Sequence, residues 1–226
     1  MVKAGAGVLT LFFDLDGTLA DPSEGITRCL GHALERLGRP VPPRSELLQY
    51  IGPSLRQAFP RLLSSDDPEL IEAAVRYYRQ RYGTVGLFEQ VIYPGIPQVL
   101  RSLHEDGFSL YVVTSKPTIF AERIIRHFEL DAYFLKVFGP ELDGRFDDKT
   151  ELIAHIIEQG TCQPRHVVMI GDRASDIAAG RANGTHTLAV TYGFGTAEEL
   201  ADAQPDQLCD CPQDIRPAIF GGFASR

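Results

Sequence analysis

The 226-residue sequence lacks an excess of basic residues, a regular spacing of cysteines and a long hydrophobic run. Its 22 Lys and Arg residues are outnumbered by 30 Asp and Glu residues, which gives a formal net charge of −8. This balance argues against a protein that binds nucleic acid through a basic surface. It does not exclude small anionic substrates, because a local cation can override the overall charge.

The cysteines and the N-terminus exclude further classes of protein. The four cysteines are Cys29, Cys162, Cys209 and Cys211. The C-x-C pair at 209 and 211 differs from the C-x-x-C spacing of zinc and redox motifs, so we expect reduced structural thiols. A short apolar run that stops at Asp14 is typical of neither a signal peptide nor a membrane span. We therefore expect a cytoplasmic protein that does not bind membranes.

The patterning divides the chain into a helical block and an alternating block. Residues 20–92 contain helical patterns and no good strand candidate, with Asp67 and Pro68 marking the start of one helix. From Tyr93 onward helices and strands alternate. The predicted helices are 96–105, 117–127, 150–159 and 175–182, and the predicted strands are 108–113, 133–138, 166–170 and 185–190. For residues 220–223 we expect a mobile or loosely docked tail.

Alternating apolar strands and helices indicate a parallel sheet that is covered on both faces. With the first strand, Val8 to Phe13, the predicted fold is α/β: a Rossmann-like doubly wound parallel sheet with an inserted all-helical domain. The predicted domains are 1–19 with 93–226 for the core, and 20–92 for the insertion.

Two carboxylates, Asp14 and Asp16, follow the first predicted strand directly. Side chains two apart on a strand point to the same side, so the two anions repel unless a cation or a shared proton intervenes. The simplest interpretation is a catalytic carboxylate pair with a bound metal. The alternative is a hairpin turn at Asp16-Gly17, which is disfavoured because the residues after Leu19 are helical in pattern.

Other strand ends also carry polar residues, as expected where an open α/β sheet binds its ligand. Thr114 and Ser115 follow the strand at 108–113 and provide an anion site, or merely cap the next helix. Lys149 follows Asp148, which fits an N-cap with Glu151 as its capping-box partner. A lysine in a first helical turn is electrostatically misplaced, and the alternative is a solvated surface lysine.

Asp172 and Asp176 follow the strand at 166–170. Asp172 alone fits a turn residue, and Asp176 alone fits an acid at a helix start. Together with Asp14 and Asp16 they form an oxygen-rich cluster that suits Mg²⁺.

These residues resemble the four motifs of the haloacid dehalogenase-like (HAD) superfamily, in order. The matching residues are Asp14-Leu15-Asp16-Gly17-Thr18, Thr114, Lys149 and Gly171-Asp172-x-x-x-Asp176. The block 20–92 resembles the helical cap of the phosphoglycolate-phosphatase-like branch, to which Tyr93-Pro94-Gly95 is also similar. The resemblance covers essentially the whole chain.

The resemblance implies a reaction and a role for each motif residue. Asp14 is then the nucleophile and Asp16 the general acid and base, while Lys149 neutralises charge and orients Asp14. Thr114 and Ser115 bind phosphoryl oxygens. The implied Mg²⁺ ligands are Asp14, Asp172, Asp176 and the backbone carbonyl of Asp16.

Asp16 favours phosphoryl transfer over dehalogenation, because the dehalogenases of the superfamily protonate no alkoxide and lack this acid. The resemblance also assigns substrate choice to the cap, where Gly52 and Arg56 are candidates; the alternative for Arg56 is a solvated helix arginine. Residues 147–153 with Gly171-Asp172-Arg173 are closer to relatives called 5′-nucleotidase-like than to most phosphoglycolate phosphatases, which more often have proline after the motif-three lysine.

We therefore predict a Mg²⁺-dependent phosphatase acting on a small phosphomonoester, phosphoglycolate phosphatase-like, with a 5′-nucleotidase as the alternative. A sugar phosphomutase is a further alternative, although no cap acid/base is evident. The non-enzyme alternative is a phospho-accepting or catalytically silent binding protein. The expected partners are a small phosphorylated substrate but no nucleic-acid polymer, and the expected state is a monomer or a homodimer.

Overall fold

The computed structural model describes residues 9–223 and contains a parallel sheet with flanking helices. The described strands are β1 (Thr10–Phe13), β2 (Ala20–Asp21), β3 (Val91–Ile92), β4 (Ser109–Val113), β5 (Lys136–Phe138), β6 (Val167–Gly171), β7 (His186–Val190) and β8 (Gln207–Cys209). The described α-helices are α1 (Ser23–Arg36), α2 (Arg44–Leu47), α3 (Leu55–Leu63), α4 (Pro68–Tyr82), α5 (Ile96–Glu105), α6 (Thr118–His127), α7 (Lys149–Glu158), α8 (Ala174–Ala182), α9 (Ala197–Ala203) and α10 (Pro212–Gly222).

Six strands form one sheet in the order β5-β4-β1-β6-β7-β8, and all recorded pairings are parallel. Counted within this sheet alone, the order is 3-2-1-4-5-6, which is that of a doubly wound Rossmann-like sheet. The predicted fold class is therefore confirmed. The chain reverses its direction of growth on either side of β1, so the ends of β1 and its neighbours form the expected ligand-binding crevice.

Apolar side chains bury both faces of this sheet. Phe12 of β1 and Met169 of β6 belong to a cluster with Leu152, Ile153 and Ile156 of α7. Because side chains alternate along a strand, the neighbours of Phe12 point to the opposite face, and they are also fully buried. A sheet covered on both faces fits strands that consist almost entirely of apolar residues.

The chain forms two compact units. One comprises the described residues up to Ala20 together with those from Ile92 onward, and we call it the α/β unit. The other, Asp21–Val91, contains α1 to α4 and is called the helical unit. These units divide at 20/21 and 91/92; the domain boundaries at 19/20 and 92/93, and a capping role for the helical block, stay predictions. As expected, Asp67 caps α4 by accepting from the Glu69 N–H, with Pro68 in the first turn.

Several expectations about individual elements need correction. Val8 lies outside the described residues, and β1 begins at Thr10. The block 20–92 is not free of strands, because its two ends form the short strands β2 and β3, which pair with each other. Since the described neighbours of β1 are β4 and β6, the Asp16-Gly17 hairpin is wrong.

The C-terminal expectation is also wrong. Residues 220–222 of the predicted tail lie in α10, and Phe223, which follows the helix directly, is buried with its ring 5.2 Å from that of His186. Among the described helices, none combines the length and hydrophobicity needed to span a bilayer.

Candidate active site

The strand register places the motif residues at one edge of the sheet. Phe13, the last residue of β1, is opposite Val112 of β4 and Ile170 of β6. The Asp14 N–H continues this ladder by donating to the Ile170 carbonyl at 2.9 Å. Thr114 and Asp172 follow one residue later on the adjacent strands, so the parallel sheet itself brings these side chains to the same crevice.

Three carboxylates converge there. Asp14, Asp172 and Asp176 are buried, and each offers an oxygen within 4.8 Å of the other two. Burial, followed by repulsion from Asp176 and Asp14, raises the pKa of Asp172 well above its ordinary value. Burial also raises the pKa of Asp176 to about 6, although Lys149 opposes this. The cluster therefore carries more negative charge than its surroundings neutralise.

Lys149 brings an amine into contact with two members of this cluster. It is the first residue of α7, and its buried Nζ lies 3.0 Å from Asp14 Oδ1 and donates to Asp176 Oδ1. Burial acts against the charge of Lys149, but Asp14 and Asp176 outweigh it and raise the pKa of the ammonium. This pairing explains a lysine in a first helical turn, and the solvated surface alternative is wrong.

The start of α7 differs in detail from the prediction. Asp148 is the N-cap, as expected, but its carboxylate accepts from the Thr150 N–H at 2.7 Å. The capping box with Glu151 is not among the contacts recorded at this helix start.

The donor set fits a divalent metal ion. Asp14 Oδ1 is buried and accepts no well-directed hydrogen bond from the described residues, even though Lys149 Nζ lies nearby. Carboxylate oxygens are the ligands that Mg²⁺ prefers, and uncompensated negative charge favours a cation. The buried triad can therefore hold a metal.

Gly17 allows the first and fourth motifs to meet. Its φ is +88°, and a Cβ on Gly17 would lie 2.1 Å from Asp172 Oδ2. Asp172 also accepts from the Phe194 N–H at 2.7 Å. Only glycine combines this backbone conformation with this close approach.

Asp16 has a different partner from Asp14. Its buried carboxylate accepts a hydrogen bond from Lys116 Nζ at 2.6 Å and is not part of the three-carboxylate group. Burial raises the pKa of Asp16, and Lys116 opposes that rise. Lys116 was not predicted as a site residue, although its place in the loop after β4 was a usable signal.

Thr114 and Ser115 do not cap the following helix, since α6 begins at Thr118 and its N-cap position is Pro117. The buried Thr114 hydroxyl accepts from the Lys116 N–H at 3.2 Å. A hydroxyl that accepts in this way still has its own hydrogen to donate, so Thr114 can bind a phosphoryl oxygen. Ser115 is partly exposed in the same loop.

The segment 192–199, which follows β7, makes hydrogen bonds to the first and fourth motifs. We did not predict these contacts. Tyr192 donates from its hydroxyl to the Thr18 carbonyl at 2.9 Å, two residues before the Phe194 contact with Asp172. Glu199 accepts from Arg173 Nε at 2.8 Å and from the Ala174 N–H at 2.9 Å. Arg173 thus anchors the loop of the fourth motif. No periodic pattern in the sequence marks such contacts.

The two candidate specificity residues belong to the helical unit. Arg56 forms a two-pronged ion pair with Glu72, with Nε–Oε1 at 2.6 Å and Nη2–Oε2 at 3.2 Å. Gly52 adopts a positive φ of +110° in the turn before α3. Arg56 is therefore not a purely solvated arginine.

All four cysteines are free thiols.

A family model described as haloacid dehalogenase-like hydrolase matches residues 11–190. The chain belongs to this family. The match spans β1 to β7 and so includes all four motifs as well as the helical unit. The predicted resemblance to HAD hydrolases is confirmed.

Curated relatives of this HAD hydrolase carry three different names. A 5′-nucleotidase from Pseudomonas aeruginosa is 44% identical over 88% of this chain and 90% of its own length. The tyrosine-protein kinase PtkA from Mycobacterium tuberculosis is 35% identical over 83% of this chain, but over only 64% of its own length. A phosphoglycolate phosphatase from Aliivibrio fischeri is 29% identical over 88% of this chain and 90% of its own length.

Among solved structures, a predicted phosphatase from Clostridium acetobutylicum superposes with a TM-score of 0.91. It is 36% identical and covers 95% of this chain and 99% of its own. Together with the family match, these relatives confirm the predicted enzyme class, a phosphoric monoester hydrolase of the HAD superfamily.

Proposed function

We propose that this HAD hydrolase is a Mg²⁺-dependent phosphatase that cleaves a small phosphomonoester through an aspartyl-phosphate intermediate. The observation that carries the proposal is the separation of the two motif-one aspartates. Asp14 is next to Lys149 and the other carboxylates, whereas Asp16 is paired with Lys116. Two neighbouring carboxylates in different environments suit two different roles in one reaction.

In the first step Asp14 attacks the phosphorus atom and forms a new P–O bond. The bond to the leaving oxygen breaks, its electron pair stays on that oxygen, and Asp16 supplies the proton that makes it an alcohol. Lys149 holds Asp14 in place through the 3.0 Å contact. Thr114 and Ser115, in the loop after β4, donate hydrogen bonds to phosphoryl oxygens.

In the second step Asp16, now a carboxylate, takes a proton from water as the water oxygen attacks phosphorus. The bond between phosphorus and Asp14 breaks, and Asp14 is released as a carboxylate. Asp14, Asp172, Asp176 and the Asp16 backbone carbonyl would hold Mg²⁺, which when bound reduces the repulsion between carboxylates and phosphate. Burial of the site excludes water that is not reacting.

Among substrates, we propose nucleoside 5′-monophosphates before phosphoglycolate. The relative named 5′-nucleotidase is 44% identical, against 29% for the one named phosphoglycolate phosphatase. The same preference comes from Thr150, which occupies the position after Lys149 where phosphoglycolate phosphatases more often have proline. This order reverses the one that we predicted from sequence alone. Gly52 and Arg56 remain proposals for substrate contact.

The similarity to PtkA favours a second candidate, phosphoryl transfer to a protein tyrosine. PtkA extends beyond the region matched here, since this chain covers 64% of it. The kinase candidate requires a nucleoside triphosphate donor and a tyrosine acceptor, whereas the phosphatase requires only the ester and water.

The deciding experiment is a phosphate-release assay of the purified protein with Mg²⁺ over nucleoside monophosphates, phosphoglycolate and sugar phosphates. We expect release that stops when the metal is chelated, with nucleoside monophosphates turned over best. Absence of release from every ester would contradict the proposal. Isomerisation of glucose 1-phosphate without release would favour a mutase, and labelling of protein tyrosine from ATP would favour a kinase.

A further inference from the structure

Lys116 is a buried cation to which the proposed roles give no task. Its side chain is 5% exposed, and its Nζ donates to Asp16 Oδ1 at 2.6 Å. Taking an ammonium group out of water is costly, and a buried ion pair repays that cost only when its geometry and its further hydrogen bonds are good. A buried lysine on the proton-transferring residue therefore needs a reason beyond stability.

The backbone of Lys116 is fixed on two sides. Its N–H donates to the Thr114 hydroxyl at 3.2 Å. Its carbonyl lies so close to Gly139 that a Cβ there would come within 2.2 Å of the oxygen. Thr118 adds a further tie by donating from its hydroxyl to the Gly139 carbonyl at 2.9 Å. These contacts fix the backbone of the loop, so the Lys116 side chain starts from a defined position.

We infer that Lys116 is a positioning residue, which orients the Asp16 carboxyl group so that one oxygen faces the leaving group. Lys116 occupies Oδ1, which leaves Oδ2 to carry the proton. Because Oδ1 can accept from the ammonium in both the neutral acid and the carboxylate, the contact persists as the proton leaves and returns. The inference rests on the proposed function, in which Asp16 is the general acid and base.

The choice of leaving group separates this role from a general effect on the site. An alkyl ester, such as a nucleoside 5′-monophosphate, releases an alkoxide that needs the proton of Asp16 as the P–O bond breaks. An aryl ester, such as p-nitrophenyl phosphate, releases a phenolate that leaves without it. Loss of Asp16 orientation should therefore impair the formation of the aspartyl-phosphate from the alkyl ester only.

The test compares kcat/KM of the wild type and Lys116→Met for both esters. We expect a loss of about 10²-fold or more on the alkyl ester, but less than about tenfold on p-nitrophenyl phosphate. Because the second step also needs Asp16, the aryl ester should give a burst of nitrophenolate followed by slow turnover. Lys116→Gln keeps a hydrogen-bond donor, so its kcat/KM for the alkyl ester should fall less than that of Lys116→Met. It provides the test if the methionine variant does not fold.

Lys136→Met is the matched control, since Lys136 is an exposed lysine on β5. It should leave both constants unchanged. Equal losses on the two esters in the Lys116 variants, or no loss on either, would overturn the positioning role while leaving the phosphatase intact. A wild type that hydrolyses neither ester would instead overturn the proposed function, and with it this inference.

Discussion

The ion pairs at the strand ends of the α/β unit are far less exposed to water than the Arg28–Glu24 pair on α1 of the helical unit. The Lys149–Asp14 pair of the α/β unit has side chains only 6% and 5% exposed. The Arg28–Glu24 pair of the helical unit has side chains 55% and 44% exposed. Exposed pairs contribute at most about 1 kcal/mol each. Buried charges cost more than that to desolvate, so we assign the buried pair at the strand ends to the proposed chemistry and not to stability.

The largest effect on this comparison should come from Asp14→Asn. An amide is a poor nucleophile, so we expect phosphate release to fall by about 10⁴-fold or more. Stability should not fall with it, because the change removes one of three crowded carboxylates. Phosphate-release assays and thermal unfolding measure the two effects, with the exposed Asp131→Asn as control. A stability loss matching the activity loss would mean that the carboxylate serves the fold.

Gly17→Ala tests the close approach at the same site. The added Cβ would lie 2.1 Å from Asp172 Oδ2 at a φ of +88°. Strain and overpacking together should cost roughly 2–4 kcal/mol in the free energy of unfolding, with loss of activity.

Gly160→Ala separates these two contributions. Gly160 also has a positive φ, +72°, but a Cβ there meets nothing within 4 Å. Gly160→Ala should therefore lower the free energy of unfolding by only about 1 kcal/mol and leave the activity unchanged. Denaturant titration measures the loss of stability in Gly17→Ala and in Gly160→Ala. Similar losses in the two variants would show that the close approach of Gly17 to Asp172 does not matter for stability.

Metal binding should weaken as the pH falls. Because the pKa of Asp176 is raised to about 6, a proton competes with the metal below that pH. Affinity for Mg²⁺ should be at least about tenfold lower at pH 5 than at pH 7. Without metal the sign is opposite: the folded state holds protons that the unfolded state has lost, so this contribution to stability falls as the pH rises from about 4 to 6.

Calorimetry and Mg²⁺-dependent thermal unfolding measure both effects. Asp172→Asn should raise the stability of the metal-free protein at neutral pH. The same variant should abolish the increase in unfolding temperature that Mg²⁺ causes in the wild type. Affinity independent of pH, or a full metal response in this variant, would contradict the carboxylate cluster as the binding site.

The smallest stability effect should come from the helical unit. Arg56→Ala breaks a partly exposed ion pair with Glu72. The free energy of unfolding should therefore change by less than about 1 kcal/mol. Glu72→Gln breaks the same pair and serves as the matched variant. If Arg56 contacts substrate, only Arg56→Ala should raise KM for the preferred ester. Equal changes in both variants would reduce Arg56 to a structural residue.

Much of the α/β unit could be predicted because apolar strands and polar strand ends leave a strong pattern. The parallel register then brings Asp14, Thr114 and Asp172 together without further information. Elements with weak patterns were missed. β8 has only three residues, and α10 contains Pro217 and two glycines, which favour a break over a helix. Its burial against other elements overrides that local preference.

Partners within the site were harder to predict than the motif residues themselves. Lys116 lies in a loop, where side-chain direction follows from tertiary contacts and not from a period. The same is true of Tyr192 and of the Phe194 N–H, which comes from the backbone and leaves no signature in the sequence.

The central claim is that Asp14 carries the phosphoryl group, and trapping that group tests it most directly. The protein would be mixed with Mg²⁺ and a nucleoside monophosphate, quenched within one turnover and reduced with borohydride, which converts an acyl phosphate to an alcohol. Peptide mass spectrometry should then find homoserine at position 14, and Asp14→Asn should not acquire it. Homoserine at another aspartate, or phosphate release with no modified residue, would contradict the account.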